Sequence, residues 1–461
     1  MNTSCLMALT TIAAAALLVT GCGGRASDDE PAAESIQQVE LRPLETVLTE
    51  SDGNTALTLE ENPFEFAWDL QLLHGERPVQ AHYTWMSPAV KNLFFIQVDT
   101  GEIHGIDIFS GITQWVTQPL PKLIKLAPFV HRTSVKDPNT GRMIHDDRLY
   151  VISGDQLFVF DCVYGQLIWS MSLGENGAYG FQPASGPFVN GAAGNRRVFI
   201  GDYEGRVQVI AFHEDKQRPY VRWQWNLMAV PTSRGNGAED LTYIGDHRGQ
   251  MTCFALDRER LWSYSARAAI FGSSVIRGGA LYFGANDNIL HVLNRLSGQL
   301  LGRVYIGAPI RRTPFFFNSE GTRLYVWTSG DPDERGLRAI RTIPDEVILE
   351  DVDRDYVKSI DVNRLAQEWF IPGISRLVAS SPGHLYAMRD DSSVLLAIDR
   401  SNGTIDWHWD INAERESGEK VVHITEYADP TDEVRAVVTV DQGGHVICYR
   451  LFGAEQRMTS R

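Results

Sequence analysis

The sequence predicts an all-β chain closed into an eight-bladed β-propeller, on three observations. A strand pair ending in a glycine turn keeps returning, it returns about every 49 residues, and no stretch sustains the 3.6-residue apolar period of an amphipathic helix. The composition suits many short strands. Of 461 residues, 43% are hydrophobic and 22% charged, with 40 Gly, 11 Trp and 15 Tyr for turns and flat packing surfaces. The net charge of −16, from 42 Lys+Arg and 58 Asp+Glu, argues against a nucleic-acid partner, because neutralising phosphates takes basic side chains.

The repeat is plainest at three places. Asp107, Gly111 and Trp115 stand four and four apart, as do Asp161, Gly165 and Trp169, and Asp399, Gly403 and Trp407. Asn294 and Gly298 keep the turn but have Gly302 in the Trp position, while Asp257 and Trp262 flank a shorter turn. Two further copies, led by Val198 and Leu324, keep the first strand, with Trp223 or Trp225 and then Trp369 downstream. An Asp that ends a strand accepts hydrogen bonds from the next backbone N–H groups and opens a turn. The Gly supplies a positive φ that a residue with Cβ adopts only at a cost. The Trp then offers a wide flat face to a neighbouring unit, which a single unit needs because it cannot bury both its faces alone.

Hairpins start at Asn92, Arg148, Arg197, Leu241, Ala280, Arg323, Gly383 and Val434. Short runs before them, such as Leu126 to Val130, Gln182 to Val189 and Ala308 to Phe315, fit the inner strand of a blade. The eighth hairpin has no Trp strand after it, whereas Phe64 to Leu70, carrying Trp68, precedes the first hairpin without a mate. Pairing the two closes the ring and removes two free edges. The propeller is therefore expected over residues 63–453, with a short tail at 454–461.

Upstream, the apolar run Ala13 to Val19 is too short for a bilayer span of about 20 residues and fits a secretory h-region. It ends in Leu18-Val19-Thr20-Gly21-Cys22, which reads as a lipobox: residues 1–21 are removed and Cys22 is acylated. Met1 to Thr10 departs from the usual signal in having no Lys or Arg. Residues 22–62, polar and acidic after the Cys, read as a disordered tether. Cys162, Cys253 and Cys448 are too few and too scattered for a disulfide scaffold or a zinc site, and read as packing residues.

The Asp-x-x-x-Gly-x-x-x-Trp frame resembles the PQQ-type propeller repeat. Joined to a lipobox and a ring of eight, the chain is similar to the BamB-like lipoproteins of the outer-membrane β-barrel assembly machinery, over nearly all of residues 63–453. The resemblance implies a non-catalytic lipoprotein of the cell envelope, anchored in the outer membrane and facing the periplasm. It also implies a monomer within a larger complex, binding other envelope proteins, with no cofactor. The same repeat occurs in quinoprotein dehydrogenases, so a PQQ-dependent oxidoreductase is the alternative. That family uses adjacent cysteines, calcium ligands and a catalytic Asp; this sequence has no Cys-Cys and matches no motif for the others. A third reading is an extracytoplasmic ligand-binding module.

No catalytic, cofactor or metal residue is expected. The 12 His are scattered, and Asp351, Asp353 and Asp355 start like a calcium loop but have Tyr356 where the loop needs Gly. Residues that do not repeat are the informative ones. Arg267, Arg311 and Arg312 follow strand motifs that place them near one mouth of the ring, and are candidate interaction residues.

Overall fold

Short apolar strands separated by turns give eight blades among the described residues, seven as four-stranded antiparallel sheets and one with a fifth strand added. All take their four main strands in chain order except the last, and one has the hairpin Ser134–Lys136 with Met143–His145 inserted between its first two. The structure, a computed structural model, describes residues 39–40, 64–86, 93–136, 143–174, 181–191, 195–213, 218–238, 240–256, 259–316, 323–331, 333–342, 366–380, 383–389, 394–411, 421–428, 434–441 and 443–451. Cys22, Asp257, the three carboxylates Asp351, Asp353 and Asp355, and residues 454–461 lie outside them.

Blade 2 shows the plan. Its strands a to d are Phe129–His131, Arg148–Ser153, Gln156–Asp161 and Leu167–Ser172. Strands a of neighbouring blades touch one another, which puts them on the axis and strands d at the rim. The inner strands are shorter than the runs marked in the sequence. Phe129–His131, Phe188–Asn190 and Phe315–Phe316 each start just after a proline, which lacks the N–H a ladder needs. Six hairpins begin at the expected residues; the other two strands run Leu93–Val98 and His384–Arg389.

The ring closes through both chain ends. Blade 8 takes strands a to c from Val421–Ala428, Val434–Asp441 and His445–Leu451. Its strand d is Phe64–Gln71, antiparallel from Phe64↔Leu451 to Gln71↔His445. Within the stretch read as a tether, Val39–Glu40 pairs parallel with Val304–Tyr305 and gives blade 5 a fifth strand.

One irregularity recurs in all eight blades. The c–d register slips by one residue immediately before the Trp position, where Ala67, Gln114, Ile168, Arg222, Leu261, Leu301, Glu368 and Asp406 are the unpaired residues. A bulge increases local twist and re-aims the next side chain. Here it swings the Trp out of its own sheet towards the next blade. Cores accordingly lie between blades: Trp68, Ile96, Ile106, Val438 and Cys448 pack together where blade 8 meets blade 1.

Candidate functional site

Two features set the surfaces available to a partner: the junctions that fix the rim, and the turns on the opposite face. At four junctions the Trp of one blade docks on the Asp-x-x-x-Gly turn of the next. Trp68 Nε1 donates to the Ile108 carbonyl at 2.8 Å, Trp115 to Cys162 at 3.0 Å, Trp262 to Arg295 at 3.2 Å and Trp369 to Arg400 at 3.2 Å. Each acceptor follows the turn's Asp or Asn. Asp107 Oδ1 accepts from the backbone N–H of Phe109 and Ser110, and Asp161 Oδ1 from Val163 and Tyr164. Asn294 Oδ1 serves Leu296 and Ser297, and Asp399 Oδ1 serves Ser401. The glycines are required twice over. Gly111, Gly165, Gly298 and Gly403 have φ of 70°, 66°, 71° and 78°, and a Cβ there would fall within 2.4–2.8 Å of the docked Trp ring.

The other four junctions differ. Trp169 stacks on Phe212 of blade 3 at 6.0 Å, and its Nε1 has no hydrogen-bond partner among the described residues. In blade 3, Trp223 holds the repeat position opposite Val209, while Trp225 stacks on Phe254 of blade 4 at 3.8 Å. Gly302 takes the Trp position in blade 5. Trp407 packs edge-on to Phe64 of blade 8 at 6.4 Å.

On the opposite face, the b–c turns of blades 3 to 6 are each zipped to the connection entering the blade. His247 N–H donates to the Val230 carbonyl, Asn286 to Ala269 and Ser329 to Pro309. Large side chains stand out there: Tyr203 is 63% and Met228 82% exposed. Arg311 Nε donates to Asn286 Oδ1 at 3.2 Å and its guanidinium lies 6.0 Å over Phe271, whose ring meets His247 edge-on at 6.0 Å. Arg267, exposed, sits in the connection from blade 4 to blade 5 with φ of 67°. Arg312 turns away from Arg311. It donates to the Ser375 carbonyl of blade 7 and covers the Trp327 ring at 5.6 Å.

Two clusters had no sequence signal. At the axis, Arg234 reaches from blade 4 to the carbonyls of Pro128 (2.6 Å) and Pro187 (3.2 Å) and lies 4.5 Å over Phe129; burial holds its pKa down to about 10. Between blades 4 and 5, Tyr264 Oη accepts from Arg303 at 3.0 and 3.1 Å and meets His291 Nδ1 at 3.1 Å, while His291 Nε2 pairs with Asp287 at 3.0 Å. Burial raises the Tyr264 pKa, and through its hydroxyl Arg303 of blade 5 is tied to blade 4. Both clusters join residues far apart in the chain, which leaves no local pattern to read.

The three described cysteines are buried, and burial pushes the thiols of Cys253 and Cys448 up to about 12, far from the reactive range. Among the described residues, no group of three His, Cys, Asp or Glu is placed to hold a metal ion, and no helix is long and apolar enough to cross a membrane.

Residues 45–264 match the family described as outer membrane protein assembly factor BamB. None of the curated proteins matches the sequence. Among solved structures, the crystal structure of BamB from Moraxella catarrhalis superposes with a TM-score of 0.54 at 9% identity, covering 84% of this chain and 99% of that one. The computationally designed Ika8 protein gives 0.49 at 15% identity, covering 81% and 96%. The chain is a PQQ-like propeller similar to the BamB family.

Proposed function

We propose that this protein is a non-catalytic scaffold of the cell envelope, held by a lipid on Cys22, that binds other envelope proteins in outer-membrane protein assembly. The likeness to BamB supports the general role. The observation that carries the binding surface is Arg267. In the connection from blade 5 to blade 6, Gly307 is the residue with positive φ, at 87°; in the preceding connection Arg267 holds a left-handed backbone at 67°. A left-handed non-glycine residue costs about 1 kcal/mol or more. An exposed Arg kept at such a cost, on the same face as Met228 and the Arg311–Phe271 pair, fits an interface anchor.

The test is affinity capture from detergent-solubilised envelopes, comparing the parent with Arg267→Gly and Met228→Ser. Arg267→Gly should melt higher than the parent, because strain is relieved, yet retain less of the partner. Equal retention by parent and both variants would remove this surface from the proposal. Dye-linked alcohol oxidation on adding PQQ and calcium would favour the oxidoreductase reading instead. Release of a Cys22→Ser protein from membranes tests the anchor.

A further inference from the structure

Every blade ends in an outer strand whose free edge exposes backbone donors and acceptors, a liability that charge, proline, shortness or cover normally blunts. Seven of the eight have such a device among the described residues. Blade 1 ends in the four-residue Thr113–Val116. Blade 3 carries Arg218, Pro219 and Arg222; blade 4 carries Arg260; blade 6 carries Glu368 and Pro372. Blade 7 carries Asp406 and Asp410, and blade 8 carries Glu65 and Asp69. Blade 5 has Arg303 and is covered by Val39–Glu40. Blade 2 is the exception.

Its outer strand Leu167–Ser172, Leu-Ile-Trp-Ser-Met-Ser, has full length and neither charge nor proline, and among the described residues no strand pairs with its outer edge. Trp169 and Met171 point into the junction with blade 3 and are buried, whereas Leu167 is 51% and Ile168 37% exposed. The turn before it adds Val163 at 48% and Tyr164 at 70%. Ile168 is the bulge residue, where blades 3, 6 and 7 have Arg222, Glu368 and Asp406.

We propose that the outer edge of blade 2 docks an extended segment of a partner chain, uncharged and with alternating apolar residues, as a fifth strand. Backbone pairing supplies the affinity, and the Leu167–Ile168–Tyr164 surface selects apolar side chains on the segment. Charge matching decides the class of occupant: a strand bearing carboxylates or lysines would bring unpaired charge against an edge with none to answer it. Blade 5 shows a rim of this ring accepting an extended segment in parallel. The proposal deepens the scaffold reading and rests on it, since it names one kind of segment the scaffold would hold.

The probe is a fluorescein-labelled peptide of alternating valine and threonine with Gly-Ser ends, titrated against the full chain. Ile168→Glu should leave the melting temperature near the parent's, because Glu368 stands at the same place in blade 6. It should weaken peptide binding about tenfold or more. Ser170→Lys, exposed on the same strand, should do the same if Ile168→Glu folds poorly, and Leu261→Glu, at the bulge of blade 4, should not. A peptide N-methylated along its length should not bind. Equal affinity for Ile168→Glu and parent, or for methylated and unmethylated peptide, overturns the proposal. So does a concentration-dependent dimer of the parent that Ile168→Glu abolishes, which would assign the edge to a second copy. Failure here with envelope capture intact removes only the blade 2 edge; lost capture with peptide binding intact removes the scaffold role.

Discussion

The ring is joined in two ways. At the 8/1, 1/2, 4/5 and 6/7 junctions an indole N–H is spent on a backbone carbonyl of the next blade, over a glycine that leaves room for the ring. At 2/3, 3/4 and 7/8 a phenylalanine of the next blade takes the place of the turn: Phe212, Phe254 and Phe64. The 5/6 junction has Gly302 and fills the space with aliphatics such as Leu301, Val304 and Ile340. A directional hydrogen bond needs a fixed turn, and a fixed turn needs Asp and Gly at fixed spacing. Stacking on a ring tolerates many backbones. The first kind of junction is therefore conspicuous in a sequence and the second is nearly silent, although both bury a large flat surface.

The largest effect is expected where the two kinds meet, in blade 8. Phe64 of its outer strand faces Trp407 and Trp409 of blade 7, and Trp68 latches blade 1. A chain beginning at residue 73 should be insoluble, or melt at least about 10 °C below one beginning at residue 61. Of the described pairings the longer chain loses Val39–Glu40 alone, and it should melt within a few degrees of the full-length protein. Equal melting of the two truncations would mean that the ring closes without strand Phe64–Gln71.

A glycine substitution separates backbone from ring. Gly165→Ala meets both a φ of 66° and a Trp115 ring 2.4 Å from the new Cβ, and should cost about 2–4 kcal/mol. Gly307→Ala meets a φ of 87° with nothing within 4 Å, and should cost only about 1 kcal/mol. Thermal melts reporting the same loss for both would show that the docked indole moves aside freely.

What was legible follows the same division. The Asp-x-x-x-Gly spacing marks the four turns that receive an indole, at Asp107, Asp161, Asn294 and Asp399, although the Trp that docks there comes from the preceding blade, and the orphan strand at Phe64 announced the closure. Trp223 could not be told from Trp225, since their order depends on a bulge opposite Val209 that leaves no residue signature. Arg311 and Arg312 are adjacent in sequence and were read as one patch. Their side chains serve different neighbours, Asn286 and Ser375, which only the assembled blades bring to this connection. Arg234 and the Tyr264–His291–Asp287 clamp depend on which blades meet, and only the assembled ring brings them together.

Phenylalanine substitutions sharpen the comparison. Trp115→Phe keeps most of the apolar face but leaves the Cys162 carbonyl without its 3.0 Å donor. Trp169→Phe removes an indole nitrogen that has no partner among the described residues. The first should therefore cost about 1–2 kcal/mol more than the second, the usual price of an unsatisfied buried group. Equal losses in chemical denaturation would mean that the latch hydrogen bonds add nothing beyond ring burial.

The smallest expected difference is in pH. The indole latches are hydrogen bonds between uncharged groups, whereas the unlatched 2/3 junction carries an ionic cluster. Arg196 of blade 3 pairs with Asp146 of blade 2 at 2.8 Å, Arg148 holds the same carboxylate at 3.0 Å, and His131 stands beside them. Burial, then the charge of Arg196, depress the His131 pKa to about 4, with Asp146 opposing. The unfolded chain binds this proton near its ordinary value of about 6.5, so it holds more protons than the folded one between those limits. Stability from His131 is complete above about pH 6.5 and falls as the pH drops towards 4, where the folded form protonates too. Partial exposure screens the effect to about 1 kcal/mol or less. His131→Gln should accordingly narrow the gap between melting temperatures at neutral and mildly acid pH, while Trp115→Phe should leave that gap at the parent's value. An unchanged gap in His131→Gln would place the acid sensitivity of the ring elsewhere than at the junction of blades 2 and 3.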